Sequence, residues 1–286
     1  LTALPAGYVF PATGLASFQT NWDRVGGNAM WSFRSSPYGS TSHALANQNA
    51  FNTFYGGKPL FYSSGHHIEF TDVHSMLCHR ATRAHNTILV NGMGQRIGTE
   101  GYGWIPRYYA SEKMGDASNA YGKVISPLWL TRGEQSEVHY TPENGWDENH
   151  VKTFRRHIVN LGKTGLIFIY DELVADEPVN WSYLLHTTEN PMTVDKSNHR
   201  FVHIQATNRG GASDAYLFST GTLQTDTTSR FFYPAVNWLR ADDKGVFKKY
   251  PNHWHFTATS EKAQVYRFAT VINTHALKYP AKDPEI

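Results

Sequence analysis

Three pieces of one stretch decide how this chain folds: Ser35 to Phe51, SSPYGSTSHALANQNAF; Gly56 to His67, GGKPLFYSSGHH; and Thr82 to Gln95, TRAHNTILVNGMGQ. Glycine punctuates them, and between the glycines lie short apolar runs at Ala50 to Tyr55 and Thr87 to Val90, of strand length rather than helix length. Such strands, set side by side, bring His43 and His85 together across a sheet although they are distant in the chain. Spacing alone does not assign them a task, because a strand histidine is more often a hydrogen-bonded core residue than a catalyst or ligand.

Outward from that stretch the pattern stays β. Tyr8-Val9-Phe10 runs into Pro11 and Gly14, and Ala29-Met-Trp-Ser-Phe33 is a good short strand. Val151 to Val159 partly alternates, Gly162-Lys-Thr-Gly165 turns, and Leu166 to Asp171 returns, which predicts a hairpin. Its second strand is apolar on both faces, as expected for one buried between layers. Further strands are predicted at Trp181 to His186, Phe201 to Ala206, Ala215 to Ser219, Trp254 to Ala258 and Gln264 to Ile272. Short strands separated by turn residues predict an all-β fold, an antiparallel β-sandwich of stacked sheets. Residues 1–190 are expected to form the main sandwich domain carrying the histidine motif. Residues 191–286 add further strands, with a second, smaller sheet layer of the same unit as one arrangement open to them. His66, His67, His74 and His79 crowd the interval between the second and third pieces, a density that could form a metal or acid/base cluster but reads more simply as a loop of solvated histidines.

The bulk numbers narrow the function. At 286 residues with 40% hydrophobic content there is enough apolar material for a sizeable core. Aromatics at 14% against charged residues at 17% suit a many-stranded protein or one that stacks sugar rings on Trp and Tyr. A net charge of +2 gives no large basic field, so nucleic acid is not expected as a partner. No apolar run reaches the length of a membrane span, and no membrane partner is expected. Cys78 is the single cysteine, so neither an intrachain disulfide nor a thiolate cluster is expected. The opening LTALPAGYVFPATG lacks the features of a signal peptide and does not begin with Met, which suggests the C-terminal portion of something longer. The glycines between Gly92 and Gly103 lack the Gly-Lys-Ser/Thr ending of a phosphate loop. Glu134, Glu137 and Glu143 could imitate a glycosidase pair, but they lie in a turn-rich segment where carboxylates are usually solvated.

His43-Ala-Leu-Ala-Asn-Gln-Asn-Ala-Phe51, Gly57-Lys-Pro-Leu60 and His85-Asn-Thr-Ile-Leu-Val-Asn-Gly92, joined later by Phe154-Arg-Arg-His-Ile-Val159 and Ile169-Tyr-Asp-Glu172, resemble the β-sandwich domain of the heparinase II/III-like polysaccharide lyases. That resemblance implies eliminative cleavage of a uronic-acid polysaccharide such as alginate or a glycosaminoglycan. Such cleavage needs the uronate carboxylate neutralised, its α-proton removed and the leaving oxygen protonated. The first piece usually reads His-x-His-x-Asp-x-x-x-Phe in that family, which puts His43 on the histidine that works on substrate. The resemblance likewise makes Asn47, His74, Arg80 and Arg83 candidate substrate contacts, the arginines because a guanidinium fork matches a planar anion. It implies a zinc ion with His85 among its ligands, yet Leu45 stands where a second His is expected, Asn47 where an Asp is, and Ser63 near a further ligand Asp. The zinc expectation therefore rests on His85 alone. The resemblance further implies an acidic polysaccharide as partner, an upstream helical toroid supplying the chief catalytic tyrosine, and a secreted or periplasmic setting. The rival readings are a carbohydrate-binding or scaffolding sandwich without catalysis, and a glycoside hydrolase or uronate epimerase on a related scaffold.

Overall fold

Along Ala29–Arg34 buried and half-buried residues alternate, so Ala29, Trp31 and Phe33 point to one side and Met30, Ser32 and Arg34 to the other. That period of two seats one sheet on another. The computed structural model describes residues 4–10, 13–22, 27–35, 45–67, 74–95, 123–125, 130–141, 149–231, 239–241 and 247–279. Within them β1 (Gly7–Phe10), β2 (Leu15–Gln19), β3 (Ala29–Arg34), β4 (Ala50–Tyr55) and β5 (Lys58–Pro59) form a five-stranded antiparallel meander in chain order.

The larger sheet has eleven strands. They are β6 (Ile88–Val90), β7 (Gly94–Gln95), β8 (Lys123–Ile125), β9 (Leu130–Thr141), β10 (Asn149–Asn160), β11 (Leu166–Thr187), β12 (Thr193–Asp195), β13 (Val202–Asn208), β14 (Gly211–Ser219), β15 (Leu223–Thr228) and β18 (Trp254–Ala276). Two further strands, β16 (Leu239–Ala241) and β17 (Phe247–Lys249), pair only with each other among the described residues. The main path runs β12-β13-β14-β18-β11-β10-β9-β7, with β6 on β11, β15 on β18 and β8 on β9. Strands from beyond residue 190 thus join the larger sheet, and β18 lies between β14 and β11.

The predicted hairpin is present: β10 and β11 pair from Asn160↔Ile167 to Val151↔Ala175. The strands predicted at Trp254 to Ala258 and Gln264 to Ile272 are instead one strand of 23 residues. Its polar interval around Glu261 and Lys262 is not a turn: the ladder with β11 shifts register between Val174 and Val179, where Asp176, Glu177 and Pro178 are exposed.

The core lies between the sheets. Phe18, Trp31, Phe33, Phe51, Leu60 and Phe61 from the smaller one meet Phe154, Ile158, Ile169, Trp181, Tyr183, Phe256, Phe268 and Ile272 from the larger. Burying side chains of this size contributes roughly 1.5–3 kcal/mol each before chain entropy is set against it. A file of hydroxyls, Thr53 to Ser213 (2.9 Å) to Thr274 (2.6 Å), also crosses the interior.

One buried ion pair ties the histidine-bearing pieces to this core. Arg156 on β10 and Asp171 on β11 form a two-pronged contact, both prongs 2.7 Å, with both side chains essentially out of solvent. Burial opposes the guanidinium's charge, but the Asp171 carboxylate overrides it and Arg156 is held above its ordinary pKa. Its Nη1 donates to the carbonyls of Asn49 (2.8 Å) and Asn86 (2.9 Å). Asn49, at φ 56°, returns a bond from Nδ2 to the Phe154 carbonyl, and Asn86 Nδ2 donates to the Phe51 carbonyl. Gln48 and Gln95 exchange two bonds of 2.8 and 3.0 Å, and Thr87 Oγ1 donates to the Gln48 carbonyl. The Gln-Asn-Ala-Phe and His-Asn-Thr segments are therefore a clasp between the sheets.

Candidate functional site

The clasp presents a polar corner on the outer face of the smaller sheet. Ser32 and Arg34 on β3 and Asn52 on β4 share that face, since Ser32 pairs with Asn52 and Arg34 with Ala50. Asn52 Oδ1 accepts the Ser63 backbone N–H at 3.1 Å, and Ser63 Oγ shares a 2.9 Å hydrogen bond with His85 Nδ1. Arg34 Nη1 donates to the Leu45 carbonyl at 3.1 Å and also to Asn47 Oδ1. The structure thus brings Asn47 and His85, together with Ser63 and Leu45, to one place. His43 lies outside the described residues.

His85 is fully buried and its Nε2 makes no hydrogen bond of normal geometry. Burial pushes its pKa down to about 3, and the positive charges that His79 and Arg34 would set beside it push the same way. It is a neutral imidazole at any physiological pH.

Behind this corner the expected loop of solvated histidines is not found. His74 is 1% exposed, His66 and His79 are half-buried, and only His67 is open to solvent. A single wide helical turn, Ser75–His79, followed by a tighter one, Thr82–Ala84, folds this segment against β11 and β18. There His186 and His255 face each other across the ladder, rings 5.2 Å apart, and His253 stacks obliquely on His66 at 4.4 Å. Several of the segment's polar atoms find partners within the protein. His74 Nε2 accepts the His66 backbone N–H at 3.0 Å, and His253 Nδ1 accepts that of Gly65 at 3.0 Å. Ser64 Oγ meets His255 Nε2 at 2.7 Å, and the ring nitrogens of His186 lie 3.0 Å from Asn86 Oδ1 and 2.9 Å from the Arg83 carbonyl, so the neutral ring donates to one of the two.

Desolvation drives these rings toward the neutral form. It takes His79 and His255 down to about 4 and His253 down to about 3, and it leaves His186 far below its ordinary value. His186, His253 and His255 were not singled out from sequence. The available signal was the pairing of a His-x-His step, His253-Trp-His255, with a histidine at the end of another apolar strand.

The predicted anion contacts separate. Arg83 and Asn47 are half-buried and so open on one side, whereas Arg80, 2% exposed, and His74 are interior residues. His74 holds the His66 backbone in place.

The donors in the corner do not fit a zinc ion. Leu45 offers only a carbonyl, which already takes Arg34; Ser63 offers a hydroxyl, bonded to the one imidazole; and a guanidinium stands where a second cation would be repelled. Among the described residues no group of three or more His, Cys, Asp or Glu is arranged to hold a metal.

Comparison with known proteins points the same way as the motifs. The family model "Heparinase II/III-like, C-terminal" matches residues 2–267. No curated protein matches. Among solved structures, the "Heparinase III-BT4657 gene product" superposes with a TM-score of 0.63 at 14% identity, covering 95% of this chain and 36% of that one. The heparan sulfate lyase HepC from Pedobacter heparinus gives 0.60 at 14% identity, covering 96% and 37%. A mutant of the same lyase gives 0.61 at 15%, covering 98% and 37%. The chain therefore spans little more than a third of the length of these structures.

Proposed function

Because this chain belongs to the heparinase II/III-like C-terminal family, we propose that it is the sandwich portion of a polysaccharide lyase that cleaves a uronic-acid polysaccharide by β-elimination. The observation that carries this reading is the match over residues 2–267, joined to a corner in which the family's motif positions, Leu45, Asn47, Ser63 and His85, converge.

In the elimination a base takes the proton α to the carboxylate and a double bond forms between that carbon and its neighbour. The bond from the neighbour to the glycosidic oxygen then breaks, and the leaving oxygen receives a proton. His43 would neutralise the carboxylate or carry one of these protons. Asn47 and Arg83, open on one side, would contact the acidic polymer, while His74, Arg80 and His85 hold the corner's shape. A preceding helical toroid would supply the remaining acid/base groups, and a secreted or periplasmic enzyme would meet such polymers.

The test uses the protein in which this chain follows its upstream region. It is incubated with alginate, heparan sulfate and other uronate polymers while near-ultraviolet absorbance of unsaturated product is followed. Absorbance should rise on at least one polymer, and His43→Ala should lower turnover by about 100-fold or more. Products of ordinary mass with water added would mean hydrolysis and overturn the reading, as would wild-type turnover by His43→Ala for its role.

A further inference from the structure

The corner that does not fit zinc is not left without a positive charge. We propose that Arg34 supplies from within the chain the cation that the family resemblance assigns to a metal, so that this domain is assembled and held without one. Arg34 reaches from β3 to the Leu45 carbonyl and to Asn47 Oδ1, the two positions where the resemblance calls for a ligand His and an Asp. It thereby pins the 45–49 segment, whose Gln48 and Asn49 make the clasp to the larger sheet. A guanidinium stays charged in proteins, so the corner holds a permanent cation.

The other substitutions take away ligands that a metal ion would use. Asn47 offers Arg34 a neutral amide oxygen where the family's Asp would bring a charge. Ser63 Oγ, 2.9 Å from His85 Nδ1, already engages the one imidazole of the corner. Exchange is mutually exclusive: a divalent ion and a guanidinium cannot share one desolvated corner.

The inference is independent of lyase activity, and its readouts are metal content and melting temperature. The chain purified without chelator should contain less than about one tenth of an equivalent of zinc, and neither EDTA nor added zinc should move its Tm. Arg34→Met should lower Tm by roughly 2–4 °C or more. Leu45→His with Ser63→Asp should bind zinc at least ~10-fold more tightly when Arg34→Met is added than when Arg34 is kept, a difference of about 1.4 kcal/mol. Stoichiometric zinc in the wild-type chain with an EDTA-sensitive Tm would overturn the proposal, a result that needs no variant to fold. Equal zinc affinity with and without Arg34 would overturn it too.

Discussion

Arg156 and Asp171 put a charge pair at the centre of the sandwich, and each depends on the other. Asp171→Asn leaves the guanidinium buried and uncompensated against Phe51, Phe154 and Tyr183, and should cost about 3–5 kcal/mol in urea unfolding. Arg156→Met combined with Asp171→Leu should cost clearly less than the two single changes added together, because no lone charge remains. The sequence shows two adjacent arginines, and the strand period tells them apart: Phe154, Arg156 and Ile158 turn inward, while Arg155 turns outward to Glu134 at 2.8 Å. What the period does not reveal is that Arg156 also holds the carbonyls of Asn49 and Asn86, since those bonds span 107 and 70 residues. A second consequence falls on Gly133, where an added Cβ would come within 2.4 Å of both Asn49 Oδ1 and Phe33 Cζ. Gly133→Ala should destabilise by roughly 1–3 kcal/mol on a denaturant melt, through forced displacement of the clasp.

At the level of elements, β13, β14 and β18 are sewn together by Asp214. Its carboxylate accepts from His203 Nε2 (2.7 Å), His275 Nε2 (2.7 Å) and Gln205 Nε2 (2.8 Å). Burial alone would raise its pKa, but these three bonds outweigh it and hold the carboxyl below its ordinary value. The stability this gives is therefore present above the unfolded carboxylate pKa and is lost as pH falls through the folded one. Asp214→Asn should lower stability by about 1–3 kcal/mol near neutrality and flatten the stability profile below about pH 4, read by urea midpoints across pH. His275 brings β18 into this seam through its Nε2 contact with Asp214. Most of these strands were readable from alternation and turn residues, and the β10–β11 hairpin from its Gly-Lys-Thr-Gly loop. The joining of two predicted strands into β18 was not. Charged residues in the middle of an apolar pattern look the same in sequence whether the chain turns or only bulges.

For the molecule as a whole, the packed imidazoles set a lower pH limit on the fold. His186, His253 and His255 are neutral and buried here but would titrate near 6.5 once unfolded. A base with a depressed folded pKa gives stability that is complete above the unfolded value. Below about 6.5 the unfolded chain takes up protons that the folded one refuses, and stability falls until the folded value near 3–4 is reached. The groups facing these rings, His66, His74, His79 and His85, are themselves bases and add to the loss. Urea midpoints should drop sharply between pH 7 and pH 5, at up to ~1.4 kcal/mol per pH unit for each ring. His253→Gln, which can still accept the Gly65 N–H, should shallow that slope. The motif positions could be picked out in the sequence, whereas the depth of the histidine cluster could not, because three of its rings, His186, His253 and His255, come from about 100 to 190 residues further along. The 23-residue β18 carries one more consequence, for how the protein is made. It is the shared neighbour of β14, β11 and β15, so on the ribosome each of those three ribbons waits with a bare edge until residue 276 has cleared the exit. The larger sheet cannot close before then, and a nascent chain stalled upstream of Trp254 should be protease-sensitive along β11, β14 and β15 and a client for chaperones.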